Sequence, residues 1–259
     1  MLKFAANLSF LYQDLPFLDR FGAAANDGFK GVEYLFPFDW PAMEIKALLD
    51  QNGLTQVLFN ARPGDFAKGE RGLAAMPGRE AEFRDNLAEA LNYAKALQCD
   101  RVHIMAGLRH EALGPDEQLG CYKKNLSLAA AECAKAGVTA LIEPINTEDM
   151  PGYFLENVAM ALPILKEIDH PSLRLQFDVY HAQKTGGNLT RQFTEAAPLV
   201  HHVQIANPPQ RFEPGKGEIN YPYIFEMLEA ARYDGWIGCE YKPSTGRGAA
   251  LHWARGLIG

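Results

Sequence analysis

Cysteine is scarce in this sequence, and the few cysteines lie far apart. The four residues are Cys99, Cys121, Cys133 and Cys239, and no two of them form a C-x-x-C pair. This spacing excludes the common zinc-ribbon and dithiol redox motifs. We therefore expect reduced thiols that are mostly packed in the protein interior.

Two other features are missing: runs of basic residues, and apolar runs long enough to span a membrane. The formal net charge is -7, from 25 Lys and Arg against 32 Asp and Glu. Asn7, Gln13 and Asp14 interrupt the apolar N-terminal residues, so we expect neither a signal peptide nor a membrane helix. An acidic protein without a basic patch is a poor partner for nucleic acid or an anionic membrane. These absences predict a cytoplasmic protein that acts on a small molecule.

Short runs rich in β-forming residues recur along the chain. Eight candidate strands are KFAANLSF from Lys3, GVEYLF from Gly31, TQVLFN from Thr55, RVHIMAG from Arg101, VTALIEP from Val138, LRLQFDVY from Leu173, HHVQIAN from His201 and WIGCEY from Trp236. Several of these runs are almost continuously apolar, which is typical of parallel strands covered by helices. The pattern therefore favours a parallel sheet.

The segments between these strands carry helix signals. PAMEIKALLDQNG has Pro41 at its start and Gly53 at its end, both typical of helix boundaries. The other predicted helices are EAEFRDNLAEALNYAKALQ, DEQLGCYKKNLSLAAAECAKAG, NVAMALPILKEI, LTRQFTEAAP, YPYIFEMLEAARYDG and the C-terminal GAALHWARGL. Strand and helix alternate with a repeat of roughly 25 to 40 residues, and no low-complexity linker divides them.

This α/β alternation fits two architectures. A doubly wound sheet usually has fewer strands and often a glycine-rich turn after the first strand, and KFAANLSFLYQ contains no such turn. We therefore predict a single (β/α)8 TIM barrel domain over residues 1–259, a typical length for that fold. The Gly- and Pro-rich residues 61–78 follow the third strand, so we expect them to lie over the barrel mouth, where they could act as a lid.

Acidic and amide side chains lie at the ends of four predicted strands. They are Glu143 in ALIEP, Asp178 in LQFD, Gln204 in HVQIAN and Glu240 in IGCEY. Barrel enzymes carry their reacting groups at the C-terminal ends of the strands, and converging buried carboxylates would repel one another without a cation. One acidic strand end is more often a helix cap or an ion-pair partner, but this repeated pattern favours a site. Oxygen donors favour a hard ion, so we predict that these four residues bind Mg²⁺ or Mn²⁺.

Several histidines also lie in or near the predicted strands. His103 and His181 lie near strand ends, where each is either a substrate contact or a packed core histidine. His201 and His202 lie at the start of the seventh strand, away from the predicted mouth, so we expect a structural role. Three further polar residues remain open as pocket-lining residues: Asn7, Glu33 and Asn60.

A substrate that carries a carboxylate needs a cationic partner. Arg211, Lys216 and Lys242 follow the seventh and eighth strands, and Arg211 is the preferred candidate. Glu213, in the same PPQRFEPGKGE segment, would position Arg211, although a solvated surface loop is an alternative. Arg62, on the loop after the third strand, is a further candidate.

Five motifs together resemble the hydroxypyruvate isomerase family: ALIEPIN, LQFDVYHAQ, HVQIAN, RFEPGKGEINY and CEYKP. The similarity extends over most of the chain. That family belongs to the xylose isomerase-like TIM barrels, and its relatives include the 2-oxo-tetronate isomerases, which are a slightly closer match. The resemblance implies that Glu143 and Glu240 are the proton-transfer pair as well as metal ligands. It also implies that Asp178 and Gln204 complete the metal shell.

The resemblance implies an isomerase that moves a carbonyl group between adjacent carbons of a small hydroxy keto acid. Such a reaction removes a proton from one carbon and returns one to its neighbour, which two carboxylates can do while a metal stabilises the enediolate. The implied conversions are 2-oxo-tetronate to 3-oxo-tetronate, or hydroxypyruvate to tartronate semialdehyde. The substrate, the metal and the oligomeric state, including a homo-oligomer, stay open.

Three alternatives remain beside the isomerase. A ketose 3-epimerase of the same superfamily would use the same two glutamates but typically has His among its metal ligands, where this chain has Gln204. A barrel endonuclease needs many His ligands for a three-zinc cluster, and the chain has only seven histidines. A non-catalytic sugar-acid binding protein would not need both Glu143 and Glu240.

Overall fold

The computed structural model describes residues 2–110 and 112–258, which form a closed barrel of eight parallel strands. The strand order follows the chain, and the last strand pairs with the first. The strands are β1 Lys3–Asn7, β2 Gly31–Tyr34, β3 Thr55–Asn60, β4 Arg101–His103, β5 Thr139–Ile142, β6 Leu173–Asp178, β7 Val200–Ile205 and β8 Trp236–Cys239. Each strand overlaps a predicted one, and the predicted (β/α)8 barrel is confirmed.

Eight α-helices surround the barrel in the described residues. They are α1 Arg20–Asn26, α2 Ala42–Asn52, α3 Glu80–Leu97, α4 Pro115–Ala136, α5 Val158–Ile168, α6 Val179–Gly186, α7 Leu189–Ala196 and α8 Tyr221–Ala230. The sequence predicted all of them except α1 and α6, which are only seven and eight residues long. Within the described ranges, no helix combines the length and the apolar character that crossing a membrane requires.

The predicted C-terminal helix GAALHWARGL is wrong. This segment contains only one 3-10 turn, Leu251–Trp253. Ala250 has a φ of 47° and Gly256 has a φ of 76°, and a right-handed helix cannot continue through either conformation. The indole of Trp253 instead packs edge-on against Phe4, with ring centroids 5.5 Å apart.

Besides the polar side chains of its strands, the barrel contains a small buried apolar cluster. Ala5, Val57 and Leu141 are buried together inside the barrel, and Trp236 packs against them. Outside the barrel, the buried faces of the helices pack on the strands in one continuous core. The four cysteines are buried and unpaired, as predicted. The polar side chains at the C-terminal end therefore lie on strands that are packed against a continuous apolar core.

Candidate active site at the mouth of the barrel

Four side chains, three of them from the ends of different strands and one from a helix, meet at the C-terminal end of the barrel. Glu143 follows β5, Asp178 is the last residue of β6, His181 lies in the first turn of α6, and Glu240 follows β8. One potential ligand atom from each residue lies within 4.8 Å of the others. The structure therefore brings together three of the four predicted metal ligands, and it adds His181 to the cluster.

The carboxylates of this cluster are buried and incompletely satisfied. Glu143 and Glu240 are each 5% exposed, and Asp178 is 3% exposed. Asp178 Oδ1 caps α6 by accepting from the N–H groups of Tyr180, at 2.7 Å, and His181, at 3.3 Å. Asp178 Oδ2 and Glu143 Oε1 have no hydrogen-bond partner among the described residues. Because buried polar atoms are nearly always paired, these two oxygens fit a cation or a substrate hydroxyl.

Burial and mutual repulsion favour the protonated form of the two glutamates. Burial, with the carboxylates of Glu240 and Asp178 adding to it, raises the pKa of Glu143 well above its ordinary value. Burial raises the pKa of Glu240 to about 8, although the neighbouring Arg211 opposes this rise. The cluster therefore needs either protons or a cation near neutral pH.

Arg211 supplies a positive charge at the edge of the cluster. Its Nη2 lies 2.5 Å from Glu240 Oε2 and 3.8 Å from Asp178 Oδ2. The guanidinium contacts the faces of two aromatic rings, at 4.7 Å from the centroid of Phe10 and 5.0 Å from that of Tyr180. The side chain is only 15% exposed and lines the mouth cavity. Arg211, the preferred candidate for binding a substrate carboxylate, thus lies in the site.

The prediction that Glu213 positions Arg211 is wrong. Glu213 is fully buried and binds the loop after β8 instead, accepting from the hydroxyl of Ser244 at 2.5 Å and from its N–H at 2.8 Å. The Arg211 backbone is held differently, because its carbonyl accepts from the N–H of Lys242 at 2.8 Å. Arg211 and Glu213 are therefore two residues apart in the chain but bind different partners.

The other basic candidates lie outside the cluster. Lys216 and Lys242 are exposed. Arg62 forms an ion pair with Glu89, and its guanidinium stacks on the ring of Phe38 at 4.3 Å. The structure therefore places Arg211, rather than these residues, at the mouth cavity.

His103 and His181 both line the mouth cavity. His103 Nδ1 lies 3.6 Å from Glu143 Oε2, and neither ring nitrogen has a hydrogen-bond partner in the described part of the chain. Burial lowers the pKa of His103 to about 3 and that of His181 to about 4. Two neutral imidazoles therefore face the cluster at neutral pH.

Gln204 lies beside Asp178 in the register of β6 and β7. Its Nε2 donates to Glu33 Oε1 at 2.8 Å, and its Oε1 accepts from Gln176 Nε2 at 2.6 Å. Because Glu33 accepts at one end of this amide, the oxygen and nitrogen of Gln204 are oriented unambiguously. Whether its oxygen binds a metal stays a prediction.

Glu33 is the centre of a buried hydrogen-bond network that the sequence pattern did not single out. It accepts from Asn7 Nδ2 at 2.9 Å, and His202 Nε2 lies 2.7 Å from its other oxygen. Asn7 also donates to Glu240 Oε1 at 3.2 Å. A Cβ at Gly238 would lie 2.2 Å from Glu33 Oε1, so the glycine makes room for this carboxylate. A glycine within an apolar strand was the available sequence signal.

The cavity above the cluster is small and has an apolar wall. Its volume is about 120 Å³, and its apolar lining includes Phe10, Phe36, Phe66, Met105 and Ile145. Phe66 belongs to the predicted lid segment, so that segment does reach the mouth, while a lid motion stays a prediction. Phe66 is 43% exposed, and the guanidinium of Arg71 lies over its ring, 4.0 Å from the ring centroid. The cavity suits a small molecule that places polar groups on the cluster.

Known proteins resemble this chain over its whole length. The family described as xylose isomerase-like TIM barrel matches residues 21–257. A 2-oxo-tetronate isomerase of Cupriavidus necator is 51% identical over 259 residues and is covered over 100% of both chains, and a hydroxypyruvate isomerase of Escherichia coli is 44% identical over 98% of both. A crystal structure from Brucella melitensis, described as AP endonuclease, family 2, is 47% identical, with a TM-score of 0.97 and 100% of both chains covered.

Proposed function

Because the chain belongs to the xylose isomerase-like TIM barrel family and, within it, to the group that contains both 2-oxo-tetronate isomerases and hydroxypyruvate isomerases, we propose that it moves a carbonyl group between adjacent carbons of a small hydroxy keto acid. The predicted family and the predicted enzyme class, an isomerase, are confirmed by the full-length relatives. The favoured conversion is 2-oxo-tetronate to 3-oxo-tetronate, since the 51% identical relative carries that name. Hydroxypyruvate to tartronate semialdehyde is the alternative.

The observation that carries this proposal is the pair of buried glutamates with raised pKa values at one small cavity. One of them, ionised, removes the proton from C3 of 2-oxo-tetronate and leaves an enediolate. The other, protonated, donates a proton to C2. The C3 hydroxyl proton passes to the C2 oxygen, so that C3 becomes the carbonyl and no atom is gained or lost. A carboxyl group with a pKa near the working pH suits both halves of this transfer.

The donor set fits a hard divalent cation. Glu143 Oε1 and Asp178 Oδ2 are buried oxygens with no partner in residues 2–110 and 112–258, and carboxylate and amide oxygens are the donors that Mg²⁺ and Mn²⁺ prefer. We infer that Glu143, Asp178, Gln204 and Glu240 hold the ion. When bound, the ion would supply Lewis-acid stabilisation of negative charge on the substrate oxygens.

The hydrogen bonds of Gln204 support its inclusion in this set. Glu33 accepts from Gln204 Nε2, which leaves the amide oxygen as the only donor atom that Gln204 can offer to a cation. Gln176 occupies one lone pair of that oxygen, and a carbonyl oxygen has a second. These contacts support Gln204 as the proposed fourth ligand, oriented by its hydrogen bond to Glu33.

Three residues of the cavity wall would bind the substrate. Arg211 supplies the positive charge for the carboxylate of a keto acid. His103 and His181, which are neutral near pH 7, would bind its hydroxyl and carbonyl oxygens. The apolar wall restricts access of water to the enediolate.

The test is a panel of three- and four-carbon hydroxy keto acids together with neutral ketoses, each assayed in D2O with Mg²⁺, with Mn²⁺ and with EDTA. We expect isomerised product that carries one solvent deuteron at C2, with 2-oxo-tetronate as the best substrate. A ketose inverted at C3 would instead identify an epimerase. A ligand that raises the melting temperature without any exchange would identify a binding protein. Either result, without turnover of the acids, overturns the proposal.

Cleavage of an abasic-site DNA duplex belongs in the same panel, because the Brucella melitensis structure is described as an AP endonuclease. We expect none. In the described ranges, one group of four potential metal ligands is present, whereas a three-zinc centre needs more donors. The net charge of -7 also opposes binding to a polyanion.

A further inference from the structure

Asn146 lies directly behind the imidazole of His181. It follows β5, three residues after Glu143, and is 2% exposed. Its Nδ2 lies 2.6 Å from His181 Nδ1, and its backbone N–H points at the same ring nitrogen from 3.4 Å. Two nitrogen atoms of one residue therefore converge on one side of the histidine ring.

The orientation of the Asn146 amide is determined by its own loop. Its Oδ1 accepts from the backbone N–H of Glu148 at 3.1 Å and from that of Asp149 at 2.9 Å. Those two donors require an oxygen, so the NH₂ group is the end that faces His181. A backbone N–H likewise can only donate. Nδ1 of His181 must therefore accept, which places the single proton of the neutral ring on Nε2.

Nε2 is the ring nitrogen that faces the acidic cluster. It lies 3.7 Å from Asp178 Oδ2 and 3.9 Å from Glu143 Oε1, the two buried oxygens without partners. These distances exceed a direct hydrogen bond. The N–H is thus aimed at the space where a substrate oxygen would lie between the ring and the carboxylates. A protonated ring nitrogen has no lone pair for a metal ion.

We propose that Asn146 is a positioning residue that holds His181 in the Nε2–H form, so that His181 donates a hydrogen bond into the site and is not a cation ligand. The assignment of the acceptor as a substrate oxygen rests on the proposed function, whereas the position of the ring proton does not. His181 would otherwise compete with Gln204 as the fourth ligand, since His181 lies within the four-residue cluster. Asn146 thereby keeps the metal shell all-oxygen.

The first test is the protonation of His181 in the Mg²⁺-loaded enzyme, read by long-range ¹H–¹⁵N NMR of ¹⁵N-histidine-labelled protein. Loss of one set of signals in His181→Gln assigns the residue. We expect a protonated Nε2 and an unprotonated Nδ1. In Asn146→Asp, a carboxylate oxygen replaces the NH₂ group, and we expect Nδ1 to become protonated. A wild-type His181 protonated on Nδ1, or an unchanged pattern in Asn146→Asp, overturns the proposal.

Asn157→Asp is the matched control. Asn157 caps α5 by accepting from the N–H of Met160 at 2.9 Å, a contact that an aspartate retains. This variant should leave the His181 signals, the melting temperature and the kinetics as in wild type. Asn146→Asp should instead lower kcat/KM about tenfold to a hundredfold, as is typical for loss of a residue that orients a site group.

Mn²⁺ binding, followed by EPR of the free ion, separates the two candidates for the fourth ligand. We expect Gln204→Leu to weaken Mn²⁺ binding at least about tenfold and His181→Gln to leave it nearly unchanged. The reverse order would make His181 a ligand and would contradict the proposal. The NMR and EPR readouts need no turnover, so a failed isomerase assay with the expected NMR pattern would refute the proposed function alone.

Discussion

Arg211 and Glu240 are joined through Nη2 and Oε2 at 2.5 Å, inside the cavity that Glu143 also faces. The pair links the residue that we propose to bind the substrate carboxylate with one that we propose to move protons. Arg211 Nη1 makes only a longer approach, 3.7 Å to Asp149 Oδ2. The Nη2 arm of the guanidinium thus orients Glu240. We propose that the Nη1 arm binds the carboxylate of the substrate.

These separate contacts of the two arms predict the effect of Arg211→Lys. A lysine keeps the charge but cannot bind Glu240 and a substrate carboxylate through separate arms. We expect KM for the keto acid to rise about tenfold to a hundredfold, since a hydrogen bond to a charged group contributes about 1.5–3 kcal/mol. The corresponding neutral ketose, with a hydroxymethyl group in place of the carboxylate, should lose much less. Steady-state kinetics of both compounds provide the check.

Arg62→Lys is the control for that experiment, because Arg62 pairs with Glu89 outside the cavity. It should leave both KM values unchanged. An equal loss for the acid and the neutral ketose in Arg211→Lys would mean that Arg211 acts on Glu240 alone.

Glu143→Gln and Glu240→Gln should separate catalysis from folding. Each amide keeps the shape of the side chain but cannot transfer the proton, so we expect isomerisation and solvent deuterium exchange to fall by about 10²- to 10⁴-fold. The melting temperature in EDTA should stay the same or rise for Glu143→Gln, because this change removes a buried carboxylate from a repulsive cluster. It should rise less, or fall, for Glu240→Gln, because that change also breaks the ion pair with Arg211. Exchange within a few-fold of wild type in either variant would remove that glutamate from the mechanism.

The stability of the EDTA-treated protein should fall as pH rises towards 8. Folding raises the pKa of Glu240 to about 8, so the folded state holds a proton that the unfolded state releases. That contribution is complete below the ordinary carboxyl pKa and is lost as pH rises through about 8. We expect the increase in melting temperature caused by Mg²⁺ to grow between about pH 6.5 and 9, because the cation replaces the proton.

The range begins at about pH 6.5 because His103 and His181 have lowered pKa values in the folded state. These two histidines reduce stability only below about pH 6.5, where they are protonated in the unfolded state. Scanning calorimetry with and without Mg²⁺ measures the increments. Glu240→Gln should show a flatter dependence. A Mg²⁺ increment that is independent of pH in wild type would contradict the proposed competition between proton and metal.

Glu33→Gln should weaken the metal site without touching a proposed ligand. Glu33 Oε1 accepts from both Asn7 and Gln204, and Oε2 lies against His202. A glutamine at this position is uncharged and turns an NH₂ group either towards His202 or towards Asn7 and Gln204, so it cannot keep all three contacts. We expect Mn²⁺ affinity to fall about tenfold to a hundredfold through misorientation of Gln204. Glu213→Gln is the control, because it too is a buried, hydrogen-bonded glutamate. Glu213→Gln should lower the melting temperature but not Mn²⁺ affinity, and equal losses of affinity would argue against a local role for Glu33.

The sequence by itself determined the barrel and most of its acidic mouth. The local periodicity of apolar residues indicates strands and helices. In a parallel barrel, the C-terminal ends of all strands lie at the same face. Glu143, Asp178 and Glu240 could therefore be placed together from their positions in their own strands. The same periodicity wrongly predicted a helix in the C-terminal segment. Ala250 has a positive φ there, which depends on packing rather than on local composition.

Only the tertiary structure decided which polar side chains meet. Glu33 and Gln204 are 171 residues apart in the chain, and their contact depends on strand register and on the space left by Gly238. The partner of Arg211 is Glu240 rather than its sequence neighbour Glu213, because the loop after β7 directs the two side chains to different places. The direction of a side chain in a loop depends on contacts across the fold, and no local pattern records those contacts.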